Sequence, residues 1–183
     1  MTAKINTELK TTIVIVGGNG DLALRKLLPA LFGLHHRGLL NSVGKIIGTG
    51  RAQLDRESYV ALVDEKRKLF SGNSDKENAA IDGDWQKFIA LVDYCKLEAD
   101  NPAQYDDLSN MITVNGERAP VTYYLSTVPA LYGMICENLK SHDLAADVDQ
   151  VVLEKPLGHN LETCNDIHAA VAKVFDESKT FRI

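Results

Sequence analysis

Three clusters of residues in this sequence have the types and spacing to do chemistry. The first is Gly17-Gly18-Asn19-Gly20-Asp21-Leu22-Ala23. It follows the apolar run Ile13-Val14-Ile15-Val16 and runs into apolar residues at helical spacing: Leu22, Ala23, Leu27, Ala30, Leu31 and Leu34. A β-branched run suits a strand buried on both faces, so the order is strand, glycine turn, helix. A helix start presents unpaired N–H donors and a partial positive charge, and so holds anions. Gly17 and Gly20 permit the tight turn and a close backbone approach, and Ala23 stands where a small residue packs helix on strand. Gly17-x-x-Gly20-x-x-Ala23 is thus a variant of the G-x-G-x-x-G fingerprint of dinucleotide sites. Asp21 is expected to cap the helix and to pair with Arg25 four residues on. A turn with no ligand uses the same glycines, but the strand before and the helix after weigh towards the anion site.

The second cluster is Gly50-Arg51, at the end of Lys45-Ile46-Ile47-Gly48-Thr49-Gly50, which reads as a second strand. In a dinucleotide fold this position faces the adenine ribose. An acid there accepts hydrogen bonds from the 2′-hydroxyl of NAD, whereas an arginine offers a planar donor fork to the 2′-phosphate of NADP. No acid is present, so the sequence leans towards NADP, against the plainer reading of a solvated loop arginine. The third cluster is Glu154-Lys155-Pro156-Leu157-Gly158, after the apolar strand Gln150-Val151-Val152-Leu153. Pro156 biases Lys155 towards extended backbone, which holds its ammonium at the strand exit, over the crevice. There it reaches a sugar hydroxyl, a phosphate or the cofactor; an ordinary loop lysine is the equal alternative. Ser126-Thr127-Val128-Pro129 lies at a further strand end, where such sheets bind ligands. Helix capping accounts for Ser126 and Thr127 as well as cofactor contact does.

The other reactive residues form no constellation. His35 and His36 are neighbours on a helix and point about 100° apart, which disfavours a shared metal. His142 lies near a helix end and His168 within a helix, and only His159 lies near the Lys155 loop. The three cysteines, Cys95, Cys136 and Cys164, are scattered, odd in number and without metal-ligand spacing, which fits buried reduced thiols in a cytosolic protein; no metal site is expected. None of the six tyrosines has a lysine four residues later, so the Tyr-x-x-x-Lys pair of short-chain reductases is missing.

The elements that position these clusters alternate. After strand one and its helix, which ends near His36-Arg37-Gly38 with Gly38 as the stop, comes strand two. Leu54 to Phe70 reads as a long helix with Tyr59, Leu62, Val63, Lys66 and Phe70 on one face, then a loop at Ser71 to Asp75. Trp85 to Val92 suggests a short helix and Val92 to Leu97 strand three. Asn101 is expected to cap a helix beginning at Pro102 and running to about Met111. Asn115-Gly116 marks a turn. Val121 to Leu125 is strand four, and Pro129 opens a helix with Leu131, Ile135 and Leu139 on its face. Strand five is followed by a helix capped by Asn160 and running from Leu161 to about Phe175, and Thr180 to Ile183 begins a sixth strand. The pattern predicts an α/β fold: a Rossmann-type doubly wound parallel sheet in three αβα layers, a single domain over residues 11–183 after a flexible stretch 1–10.

The 183 residues suffice for one such core. The net charge of −5 argues against a nucleic-acid partner. No apolar run is long enough to span a bilayer and the N-terminus lacks a signal-peptide core, so no membrane partner and a cytoplasmic location are expected.

Taken in order, the motifs resemble one family, glucose-6-phosphate dehydrogenase. Its G-x-x-G-D-L-A-x-[KR]-K-[LI] motif is similar to Gly17 through Leu27, its arginine after strand two to Arg51, and its E-K-P-[FL]-G loop to Glu154 through Gly158. Phe181-Arg182-Ile183 resembles the residues ahead of the family's D-H-Y-L-G-K-E segment. The resemblance covers Thr11 to the end and implies oxidation of glucose 6-phosphate at C1 to a lactone with NADP, the first step of the pentose phosphate pathway. It implies a cofactor site of Gly17, Gly18, Asn19, Gly20, Asp21, Leu22 and Ala23 at the diphosphate and Arg51 at the 2′-phosphate. Ser126, Thr127, Val128, Pro129, Glu154, Lys155 and Pro156 complete it, with Lys155 touching both substrate and coenzyme.

Two departures stand out. The family commonly has two prolines after strand four, and Val128-Pro129 keeps the second alone. The family's Asp–His general base and substrate phosphate site correspond to sequence beyond Ile183, so this chain is expected to bind NADP and turn over nothing. Surface that a second domain covers in the family is expected to favour self-association. A non-catalytic dinucleotide sensor or interaction module that kept the fold is the alternative.

Overall fold

The computed structural model describes residues 3–70, 78–158 and 160–183. The expected loop at 71–75 and His159 lie outside the described residues, as does the side chain of Phe70. The strands and helices follow in order: β1 (Lys4–Ile5), β2 (Thr11–Val16), α1 (Leu28–His36), β3 (Val43–Gly50), α2 (Arg56–Phe70), α3 (Asn78–Ile89), β4 (Val92–Lys96) and α4 (Ala103–Ile112). Then come β5 (Thr113–Val114), β6 (Glu117–Arg118), β7 (Val121–Leu125), α5 (Tyr132–Ser141), β8 (Gln150–Leu153), α6 (Leu161–Ala172) and β9 (Thr180–Arg182).

Six strands form one parallel sheet in the order β4-β3-β2-β7-β8-β9. The chain starts in the middle at β2, steps outwards to β4, returns to β7 and steps outwards again. This is the doubly wound Rossmann order, with its switch point between β2 and β7. Alternation along β2 explains the two cores. Val14 and Val16 point to the face covered by α4, α5 and α6, and Ile15 to the face covered by α1, α2 and α3. Burial on both sides is why the strand is continuously apolar from Ile13 to Val16.

Several local expectations shift. The α1 stop holds: Gly38 has φ +70°, its N–H bonds His35 O and Leu39 N–H bonds Leu34 O, a Schellman closure. Asp21 does not cap. Leu24 N–H bonds Gly20 O (3.0 Å), so the helix starts one residue earlier than a cap at Asp21 allows, with a π-helical turn over Ala23–Leu27. Asp21 instead pairs with Arg25 at 3.3 Å, as the spacing predicts. Asn101 contributes its carbonyl, which accepts from Gln104 N–H (3.2 Å), and α4 begins at Ala103 with no side-chain cap. Asn160 does cap α6, reciprocally with Thr163, but the helix ends at Ala172. The helix expected from Trp85 begins at Asn78.

Residues 1–10 carry no strand pattern in the sequence, yet β1 pairs with β6, which pairs with β5 in a small second sheet. Beneath it Arg118 and Asp149 form a buried two-pronged ion pair (3.0 and 2.6 Å). Asp149 also accepts from Val121 N–H (2.8 Å) and Ala146 N–H (2.7 Å). Burial pulls the Arg118 guanidinium down, but the bonds and charge of Asp149 outweigh it and hold it up.

Candidate functional site

The glycine turn is built by close backbone contact. Gly17 N–H and Gly18 N–H both bond Thr49 O (3.0 and 2.7 Å), and Gly20 N–H bonds Gly17 O (2.9 Å). Gly17 has φ +88°, and a Cβ there runs into the carbonyl of Ser126; one on Gly18 sits 2.5 Å from Gly48 Cα. The glycines therefore let β2, β3 and β7 converge, which is more than a tight turn. Their own N–H groups are spent inside the turn. The donors left over are Asn19, Asp21 and Leu22 N–H, which come before the first intrahelical bond at Leu24. Ala23 is fully buried, as helix–strand packing requires, and Leu22 is exposed.

Across β3, the Asn19 side chain lies against Gly50, where a Cβ has no room. The next residue, Arg51, is exposed and carries no hydrogen bond or ion pair among the described residues. Two tyrosines sit under this corner. Tyr59 OH donates to Gly18 O (2.7 Å) and Tyr94 OH to Ala52 O (2.9 Å), with the ring centroids 4.8 Å apart. Burial pushes both hydroxyls up, Tyr94 to about 12.

On the other side of the switch point a cleft of about 490 Å³ opens between the ends of β7 and β8 and helix α6. It gathers Thr127, Val128 and Pro129 with Glu154, Lys155 and Pro156. Ser126 is not on its wall; its Oγ is buried without a partner beside Gly17. Pro129–Leu131 form a single 3₁₀ turn before α5. Lys155 is exposed and its ammonium unpaired among the described residues, while its N–H bonds Ile183 O (2.9 Å) and its peptide bond to Pro156 is cis. Glu154 accepts from Tyr124 OH (2.6 Å), and burial first, then that bond, pushes the tyrosine hydroxyl up. Buried Tyr132 OH donates to Leu125 O (3.1 Å), tying the β7 end to the cleft floor.

Thr163, Asp166 and Ile167 of α6 also line the cleft, and sequence reasoning missed them. The signal was the Asn160–Thr163 cap, which fixes where the first turn of α6 points. The described histidines lie elsewhere: His35 on Phe88, His36 on Asp84 (2.9 Å), His142 stacked on Tyr105, and His168 accepting from Arg182 (3.3 Å). Among the described residues no three metal-ligating side chains cluster, and no helix is long and apolar enough to cross a membrane.

These residues fit a dinucleotide. A cradle without Cβ atoms meets a helix start at the switch point, and an unpaired guanidinium stands at the end of β3. The fold and the site define a Rossmann-type dinucleotide-binding domain. The family model described as "Glucose-6-phosphate dehydrogenase, NAD binding domain" matches residues 14–183. The chain belongs to the glucose-6-phosphate dehydrogenase family, of which it is the NAD-binding domain.

Glucose-6-phosphate 1-dehydrogenase of Gluconobacter oxydans is 36% identical over 93% of the chain and 34% of its own length. That of Helicobacter pylori (strain J99) is 34% identical over 93% of the chain and 37% of its length. The crystal structure of the Mycobacterium avium enzyme superposes with a TM-score of 0.80 at 28% identity, covering 95% of this chain and 36% of that one. A glucose-6-phosphate dehydrogenase in complex with glucose-6-phosphate gives 0.79 at 29%, covering 100% and 37%. The chain thus spans about a third of the length of the relatives it matches.

Proposed function

We propose that this chain holds NADP for a glucose-6-phosphate dehydrogenase. The observation that carries the reading is the placement of an unpaired Arg51, with no acid beside it, one strand away from the glycine turn. The coenzyme diphosphate lies over Gly17 to Ala23, bonded by the N–H groups of the first helical turn, where the helix dipole favours negative charge. Arg51 grips the 2′-phosphate with its donor fork. Thr127, Val128 and Pro129 form one wall of the reaction cleft, and Lys155 reaches from the other to the substrate and coenzyme. Val128, Pro129, Pro156 and Ile167 give the cleft an apolar wall beside these polar groups. Bound NADP+ supplies the hydride acceptor for C1 of glucose 6-phosphate.

Removing the C1 hydroxyl proton needs a base within hydrogen-bond reach. The described lining of the cleft offers two carboxylates, Glu154, which already accepts from Tyr124 OH, and Asp166, and no histidine. We expect this chain alone to bind coenzyme without turnover, the base coming from the family's Asp–His pair. The exposed Phe181 and Ile183 at the β9 edge should favour self-association, which light scattering at rising concentration checks.

Calorimetric titration of NADP and NAD into the purified chain, with Arg51→Ala alongside, tests the coenzyme reading. A charge-assisted hydrogen-bond pair is worth about 1.5–3 kcal/mol, so Arg51→Ala should weaken NADP about 10- to 100-fold, to the NAD level. Equal binding of NADP by mutant and parent removes the role of Arg51. Binding of neither coenzyme by the parent chain removes the coenzyme reading as a whole.

A further inference from the structure

We propose that Tyr59 and Tyr94 are a coupled pair of positioning residues that fix the diphosphate turn relative to the 2′-phosphate arginine, and so help set the preference for NADP over NAD. The inference rests on the coenzyme reading above and goes beyond it. Both side chains are buried, Tyr59 fully and Tyr94 to 5% exposure, and phenylalanine would fill the same space without the cost of burying a hydroxyl. Each hydroxyl is used on one backbone carbonyl of the site. Tyr59 OH donates to Gly18 O, inside the glycine turn, and Tyr94 OH to Ala52 O, the residue after Arg51.

The peptide plane turns those bonds into orientation. In a trans peptide the C=O and the following N–H point opposite ways. Drawing Gly18 O down onto Tyr59 therefore aims Asn19 N–H away from the core, towards the crevice. Drawing Ala52 O down onto Tyr94 likewise fixes the backbone that follows Arg51. Leu54 N–H also bonds Ala52 O (3.1 Å), so this turn keeps one support without the tyrosine.

The two anchors do not move independently. The rings pack at 4.8 Å over two glycines of the strand beneath: a Cβ on Gly48 meets the buried Tyr59 hydroxyl, and one on Gly50 meets the Asn19 side-chain oxygen and lies 3.1 Å from Tyr94 OH. In a close-packed corner, a shift of one ring displaces the other. The asymmetry between the anchors gives the prediction. Tyr59 supports a turn that serves both coenzymes, whereas Tyr94 supports a loop that serves the 2′-phosphate.

The test is calorimetric titration of NADP and NAD into the chain and into Tyr59→Phe, Tyr94→Phe, the double variant and Gly48→Ala. A neutral hydrogen bond is worth about 0.5–1.5 kcal/mol, so effects of about two- to twelvefold are expected. Tyr59→Phe should weaken both coenzymes by a similar factor and keep their ratio. Tyr94→Phe should weaken NADP more than NAD and so lower the ratio, a change that general loosening of the core does not produce. The double variant should lose less NADP affinity than the product of the single losses, the sign of coupling. Gly48→Ala, whose Cβ pushes the Tyr59 ring aside and through it Tyr94, should resemble the double variant, weakening both coenzymes and lowering the ratio. An unchanged ratio in Tyr94→Phe overturns the proposal, and it does so even if Tyr59→Phe fails to fold. Multiplicative losses in the double variant overturn the coupling. If the parent shows no NADP binding, or Arg51→Ala binds NADP as the parent does, the coenzyme reading has failed instead.

Discussion

The two ends of the parallel sheet carry their charges differently. At the end where β2 and β7 begin, Arg118 and Asp149 are buried against each other, and both carboxylate oxygens of Asp149 accept backbone N–H groups as well. Nearby, Lys45 donates to Met111 O (3.0 Å) and lies 3.6 Å from Asp93. At the opposite end, Arg51 and Lys155 stand exposed without partners among the described residues. One end pairs its charged side chains to hold the fold; the other leaves the Arg51 and Lys155 cations available to a ligand. In a doubly wound sheet the strands' carboxyl ends form the crevice, so this asymmetry falls where binding is expected.

Four perturbations test this contrast. Asp149→Ala leaves the Arg118 charge buried and unpaired and should cost about 3–5 kcal/mol, read as a fall in the urea midpoint, while the ratio of NADP to NAD affinity stays at the parent value. A change in that ratio would mean that the two ends are not separate. Gly17→Ala forces an L-residue to φ +88° and pushes a Cβ into the Ser126 carbonyl. It should cost about 2–3 kcal/mol of stability and abolish coenzyme binding, because the turn itself is displaced.

Thr49→Val, at a fully buried position with an unpaired hydroxyl, should be neutral or stabilise by up to about 1 kcal/mol in urea unfolding. A clear loss of stability would show that the hydroxyl has work to do. The smallest effect concerns Asp55, which caps α2 and thereby carries Tyr59 to Gly18: its carboxylate accepts from Ser58 N–H (2.8 Å). That backbone bond, then the Ser58 hydroxyl, holds Asp55 below its usual 3.8. Because the folded value lies below the unfolded one, the stabilisation is present above about pH 4 and lost as pH falls through the folded value. Asp55→Asn should therefore flatten the acid side of the stability curve.

Much of the candidate site's local geometry was legible in the sequence because its signals are local. A strand of β-branched residues, glycines at fixed offsets and a helical period specify a strand–turn–helix through backbone sterics alone. Arg51 and Lys155 were found by their place at the ends of apolar runs. The Asp21–Arg25 pair and the Asn160 cap follow from helical spacing, which is equally local.

What the sequence could not decide were contacts between distant segments. Nothing local says that Gly18 must be glycine because Gly48 crosses it, or that Tyr59 and Tyr94 hold the turn and the arginine loop. Nor does it say that Asp166 joins Lys155 at one cleft, that β1 pairs with β6, or that Arg118 meets Asp149. The Asp21 cap failed for a related reason. Its side chain satisfies either role, and the choice fell to Gly20, whose carbonyl accepts the first helical bond in a turn clamped by Thr49 from the neighbouring strand. Sequence determined the elements and the residues at their ends; packing of β2 between β3 and β7 decided which backbone groups are consumed and which remain to bind.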